Sequence, residues 1–396
     1  MLSPEAPYPL NGGGAYRTAS LLHYFARIAP VDLIFISNTG QPALIPDGLV
    51  RRQTAIPLPR HRRDPLARYA RNAMRAARGI PPLIDRLSGL GPAIQDAIGG
   101  ERYDIGVVEH FWSAPYLPEM FRVCSRAILN LHNVESVLHQ RCAAGGGPLL
   151  RAAHARFARA SRALEQRLLP EFSLILTASD EDAARVHAIA PRAVTAVYPN
   201  ALPWTDVPKI KPRNEIVFSG NFEYHPNIDA VGFLIREIWP AIRQARPDIR
   251  LRLVGRGDEH IRHLVRHDTS VEVTGPVENA TAEIAAARVV IAPLRAGSGT
   301  RIKILEAWAA ARPVVATPVA AEGLAAEHGE NCLVAENAVT FSTNVVKLLD
   351  SEQEMLRLGM RGRRTFEHQY NWEVVWKELD TALQVSDAEA LKRYNE

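Results

Sequence analysis

The stretch APLRAGSGTRIKILEAWAAARPVVATPVAAEGL, from Ala292 to Leu324, decides how its half of the chain is read. RVVIAPL, ending at Leu294, is an apolar, β-branched run of strand length, and PVVAT, from Pro313, is another. Between them a glycine-rich turn leads into the helical segment TRIKILEAWAAA. Strand, turn, helix, strand is the repeat of a parallel sheet covered by helices. The turn Gly297, Ser298, Gly299, Thr300 lets backbone amides come close to a ligand. The helix that follows begins with unpaired amides and the positive end of its dipole, which together favour an anion. Arg301 and Lys303 add whole charges there, so a phosphate or diphosphate is the expected guest. Glu306 suits a different group, because a carboxylate accepts two hydrogen bonds from a vicinal diol such as a ribose. Diphosphate plus ribose reads as a nucleotide. A plain strand–turn–helix carrying surface charges is the alternative.

The same alternation runs outward in both directions. Upstream, VDLIFIS (31–37), YDIGVVEHF (103–111), RAILNLHNVE (126–135), FSLILTAS (172–179) and AVTAVYPN (193–200) read as strands separated by helical segments. PWTDVPKIKPRN (203–214), proline-rich and polar, reads as a linker. The pattern then restarts with EIVFSG, IRLRLVG and VEVTG before it reaches the opening stretch. The fold class is therefore α/β, with two Rossmann-like domains over residues 1–204 and 205–370. The helical tail 371–396 is expected to cross back to the first. In such sheets ligands bind beyond the carboxyl ends of the strands, so the cleft between the halves is the natural site.

Composition bounds the remaining possibilities. The chain has 396 residues, 47% hydrophobic and 23% charged, which is ordinary for a globular protein and too long for one core. It contains no run of 18 apolar residues and no basic segment followed by an apolar one at its start, which predicts a cytoplasmic protein. Three separated cysteines, Cys124, Cys142 and Cys332, fit a reducing compartment and no metal-site spacing. The net charge of +4 is unevenly placed. Between Arg51 and Arg78 nine arginines stand against Asp64 alone, and RAAHARFARASRALEQR (151–167) is a second basic stretch. Peripheral contact with the inner face of an anionic membrane, through Arg51–Arg78, and a solvated helix face are both open readings. Nucleic acid is disfavoured, since no aromatic interleaving or reader motif accompanies the arginines.

PLRAGSGTRIKILEAWAAARPVVATPVAAEGL resembles the donor-site segment of retaining glycosyltransferases of the GT-B fold, family four (glycosyl transferases group 1). In that family a Glu, seven residues, Glu motif precedes a helix ending EAMA and then G.PVV.T..G..E. Glu306 matches the second glutamate, which by this resemblance holds the ribose. Ser298 stands at the first, as in a subgroup carrying G-x-G-T-R-x-K-x-L-E-A. The resemblance covers nearly the whole chain. PYPLNGGGAYRTASLLHYFA is similar to the family's N-terminal glycine loop, which places Gly13 and Gly14 against the donor. LNLHNVE puts His132 and Asn133 past a strand end, where a family histidine contacts the transferred sugar or the acceptor. VYPNALP resembles P-N-G-V-D, retaining Asn200. FSGNFEYHPNIDA, with Gly220, stands where many relatives carry the diphosphate-binding cations of G-R...K-G, and that task passes to Arg301 and Lys303. Relatives open with a full strand before SPE.PYP, of which this chain has only Met1 and Leu2, so either the start of this sequence is internal or the first strand is missing.

The resemblance implies transfer of a sugar from a nucleotide-diphosphate sugar to a bacterial polysaccharide or glycolipid precursor, with retention of configuration. Arg301, Lys303 and His132 would be catalytic. No cofactor is implied, and no metal, because no Asp-x-Asp stands at a strand end; Asp180–Asp182 starts a helix instead. A GT-B sugar-nucleotide epimerase and a non-catalytic nucleotide-sugar-binding protein are the rival readings. A dehydrogenase is disfavoured, since GSGTRI lacks the third glycine of G-x-G-x-x-G.

Overall fold

The computed structural model describes residues 1–10, 12–38, 40–58, 65–144, 147–277, 279–296 and 302–395; no side chain is described at 65–69, 76, 144 and 385–395. The chain divides into two compact units. The first comprises Met1–Pro199 and Trp376–Glu396, the second Asn200–Val375. These divisions fall a few residues from the sequence-based boundaries 204/205 and 370/371.

The first unit holds a seven-stranded sheet. Its strands are β1 (Leu2–Ser3), β2 (Asp32–Ser37), β3 (Arg52–Pro57), β4 (Tyr103–Glu109), β5 (Cys124–Asn130), β6 (Leu174–Thr177) and β7 (Thr195–Val197). They lie in the order β3-β2-β1-β4-β5-β6-β7, and neighbouring strands pair in parallel. Parallel strands covered on both faces must be apolar throughout. Ile34, Val108, Leu129 and Ile175 are buried accordingly. The expectation of a missing first strand is corrected here. Leu2 and Ser3 occupy the central position, Leu2 registering with Ile34 on one side and Val108 on the other. Both are fully buried, and β2 and β4 supply the ladder on either side. Beside them a cavity of about 270 Å³ opens between β2 and β4, lined by Leu2, Ile34, Ile105 and Val107 among others.

The second unit repeats the plan with six strands: β8 (Glu215–Ser219), β9 (Arg250–Val254), β10 (Val271–Gly275), β11 (Val289–Ala292), β12 (Val314–Ala316) and β13 (Leu333–Val334). Their order, β10-β9-β8-β11-β12-β13, is that of the first six strands of the first sheet. Strands β8, β11 and β12 are buried at every residue. Trp308, from the helix Ile302–Ala309, is fully buried and satisfies its indole N–H on the Asn331 carbonyl at 3.0 Å.

The last helix, Trp372–Asn395, starts in the second unit and belongs to the first from Trp376 onward. Within the first unit Trp376 donates its indole N–H to the Ser20 carbonyl at 3.1 Å, and the Tyr24 hydroxyl donates to Asp380 at 2.6 Å.

Among the described residues of the basic stretch Arg51–Arg78, several arginines are paired with acids. Arg51 and Arg52 open the edge strand β3 and bind Asp32 at 2.7 and 3.1 Å. Those bonds, Arg51's foremost, hold the Asp32 carboxyl down to about 2. Residues 59–64 lie outside the described residues, and the helix Pro65–Arg78 follows. There Arg75 is committed to Asp85 at 2.6 Å.

Candidate functional site

In a sheet of this order the strand direction of travel reverses between β1 and β4, and again between β8 and β11. The loops leaving the two strands at such a switch point diverge and leave a crevice. The sequence therefore delivers two loop pairs: those after β1 and β4 in the first unit, and those after β8 and β11 in the second.

In the second unit the loop after β8 carries Gly220, and the loop after β11 leads to the helix Ile302–Ala309. Lys303, in the first turn of that helix, reaches the Gly220 loop. Its ammonium donates to the Asn227 side-chain oxygen at 3.1 Å and stands 4.5 Å from the centre of the Phe218 ring. A Cβ built on Gly220 would lie 3.4 Å from the Lys303 nitrogen and 3.1 Å from the Asn227 amide nitrogen, so glycine leaves the ammonium reachable from the loop. One turn along the helix, Glu306 is half-buried. Desolvation pushes its carboxyl up to about 7, and Lys303 opposes that rise. The cation and the carboxylate thus lie on one face at i, i+3. Gly297, Ser298, Gly299, Thr300 and Arg301 lie outside the described residues. Asn200 is buried as the first residue of this unit.

In the first unit the glycine loop ends at the helix Gly13–Ala26, with Gly12 at φ 103° before it. A Cβ on Gly14 would come within 2.9 Å of the Glu5 carboxylate and 3.5 Å of His110 Nε2. That contact brings in a residue the sequence reading passed over. His110 follows β4 directly and holds φ 60°, a conformation that costs a side-chain-bearing residue about 1–3 kcal/mol. Its ring is stacked between Trp112, at 4.4 Å, and His132, at 3.4 Å between centres. Its Nε2 is buried and has no hydrogen-bond partner among the described residues. A strained histidine whose buried nitrogen has no partner among the described residues, beside a glycine loop, is a candidate site residue. The only signal in the sequence was its place at a strand's carboxyl end.

His132, expected at the sugar or the acceptor, is held by Glu109. Its Nε2 lies 2.9 Å from Glu109 Oε2, which also accepts from the Thr18 hydroxyl at 3.0 Å and the Asn130 amide at 2.9 Å. Arg17, fully buried, donates to the Asn130 side-chain oxygen at 2.7 Å and to the carbonyls of Leu176 and Tyr198. Burial holds both His110 and His132 well below the ordinary imidazole range, His132 also through Arg17, so both are neutral at pH 7. His132 thus stacks on His110 while Glu109 holds its Nε2, and Asn133 is half-buried beside it. Among the described residues no three His, Cys, Asp or Glu side chains converge as a metal site, and no helix is long and apolar enough to cross a membrane.

Two parallel-sheet units of one strand order, each with its loops gathered at the switch point, constitute the GT-B fold. Solved structures bear this out. The chain superimposes on a sucrose-phosphate synthase from Thermosynechococcus elongatus with a TM-score of 0.73, at 18% identity over 100% of this chain and 99% of that one. It matches Anabaena HepE, solved in complex with UDP and glucose, with a TM-score of 0.64 at 14% identity over 97% and 98%. Residues 213–351, within the second unit, match the family Glycosyl transferases group 1. A curated relative, an uncharacterized 44.6 kDa protein in the cps region of Klebsiella pneumoniae, is 21% identical over 172 residues. That match spans 41% of this chain and 44% of the relative.

Proposed function

We propose that the protein transfers a sugar from a nucleotide-diphosphate sugar to a carbohydrate or lipid-linked acceptor, with retention of configuration. The observation that carries the reading is Lys303. Its ammonium is fixed beside Gly220 by Asn227 and Phe218, on the helix that also bears Glu306. That is the position a diphosphate takes when its ribose is held by Glu306. UDP is the first nucleotide to try, because the structural relative HepE was solved with it. The acceptor is a polysaccharide or glycolipid precursor, in keeping with a relative from a cps region.

The chemistry asked of the protein is stabilisation of the charge that grows on the departing diphosphate. Lys303 supplies a desolvated cation, and Arg301 with the Gly297–Thr300 amides would complete the cradle. His110 offers its neutral ring nitrogen to a sugar or acceptor hydroxyl, held in place by the stack of Trp112 and His132. No metal is required of this arrangement, since cations of the chain carry the charge. A cation that acts in the transition state is recognised by its kinetics. Lys303→Ala is expected to lower turnover of the preferred UDP-, GDP-, ADP- or dTDP-sugar about a hundredfold or more. Donor affinity should change much less. Turnover and affinity measured on the folded variant decide it: unchanged turnover rejects the role, and a loss confined to affinity reduces Lys303 to ground-state binding.

A further inference from the structure

The helix Pro148–Leu168 begins on an unusual note for a folded surface. Gly147 to Ala152 are all exposed, and the two residues that follow Pro148 are leucines. Leu149 is 85% exposed and Leu150 45%. Two adjacent exposed leucines at a helix start leave apolar surface in water.

Directly behind the leucines the helix is cationic. Leu149, Ala152, Arg156 and Arg159 follow at helical spacing along one stripe, and all four are exposed. Arg151 flanks them. The first acid of the helix is Glu165, which is buried and accepts from the Ser136 amide at 3.0 Å. Arg151, Arg156 and Arg159 have no acidic partner among the described residues. The neighbouring helix Pro65–Arg78 adds to the same region. The Arg156 guanidinium donates to the Ala77 carbonyl, which brings exposed Arg78 alongside.

The combination selects among partners. Arginines alone would serve nucleic acid, but an aqueous polyanion gives no use to exposed leucines. An apolar protein groove would take the leucines and leave the arginines without a counter-charge. A lipid surface of negative charge takes both, leucines at the headgroup boundary and guanidiniums at the phosphates. We propose that the first three turns of the helix Pro148–Leu168 seat the protein on an anionic membrane surface. Leu149 and Leu150 enter the headgroup layer, and Arg151 and Arg159 bind lipid phosphates behind them. This places the contact on a different element from the Arg51–Arg78 stretch, and it does not rest on the glycosyl-transfer reading.

Flotation of the full chain with phosphatidylcholine vesicles, with and without phosphatidylglycerol, tests it. Binding is expected only with phosphatidylglycerol and is expected to weaken with added salt. Arg151→Gln with Arg159→Gln should lower partitioning about thirtyfold. Leu149→Ser with Leu150→Ser should lower it about tenfold or more. All four positions are exposed, so nucleotide binding by the variants, measured alongside, should match the parent. Failure of the parent chain to float with phosphatidylglycerol vesicles overturns the proposal. Equal binding to both vesicle types, or undiminished binding in the two double variants, does so as well. Salt-sensitive binding to single-stranded DNA that exceeds vesicle binding and ignores the leucine changes would assign the patch to nucleic acid instead.

Discussion

Glu306 carries a consequence for pH. Its carboxyl is pushed up to about 7 by desolvation, against the pull of Lys303. A native carboxyl raised above its ordinary range binds a proton that the unfolded chain has released. Its contribution to stability is therefore fully present below the ordinary glutamate range and is lost as pH rises towards 7. Ribose binding runs the other way, because hydroxyls that donate to Glu306 need it ionised. Nucleotide affinity is expected to rise about tenfold between pH 6 and pH 8, and Glu306→Gln should flatten that rise. Titration calorimetry at the two pH values in wild type and variant checks both statements. An affinity that does not change with pH in the wild type would remove Glu306 from the ribose. Lys303 and Glu306 were legible in the sequence because chemistry sat on a clean strand–turn–helix signal. His110 was not, because what marks it is a backbone angle of φ 60° and a bare buried nitrogen, neither of which a string of letters displays.

The loop after β9 shows how elements hold the site. Gly255 sits at φ 147°, and a Cβ there would fall 1.8 Å from the Gly220 carbonyl oxygen. Backbone cannot give way as a flexible side chain can, so the substitution must displace the Gly220 loop against which Lys303 and Asn227 are set. Gly255→Ala is expected to destabilise the protein by about 2 kcal/mol or more and to weaken nucleotide binding. Urea unfolding with a parallel binding titration checks it; unchanged values for both would show that the loop accommodates the methyl group. The strands flanking this loop were readable from their short alternating runs, RLRLV and VEVTG. β3 was not: in Arg52–Pro57 only Ile56 is buried, so an edge strand was hidden inside a stretch that read as basic. β1 was missed for another reason, since two residues carry no periodicity. Its place comes from the ladders offered by β2 and β4.

At the scale of the whole molecule, one strand order is used twice, and the proposed function assigns the nucleotide to the second unit and the sugar and acceptor to the first. Stereochemistry tests that division without knowledge of the acceptor, because water replaces it in slow hydrolysis. In retention, water enters on the face that the diphosphate leaves, guided by the leaving group and not by a base on the opposite side. On the proposed function His110, whose Nε2 has no partner among the described residues and whose pKa burial holds well below the ordinary imidazole range, holds a sugar hydroxyl. From an α-linked UDP-sugar the first free sugar is therefore expected to be the α anomer. Proton NMR taken before mutarotation reads it directly. A β anomer would overturn retention while leaving a glycosyltransferase. A new UDP-linked epimer, with no free sugar, would replace the transferase with an epimerase on the same fold. Stable binding of every nucleotide sugar with neither product would leave a binding protein.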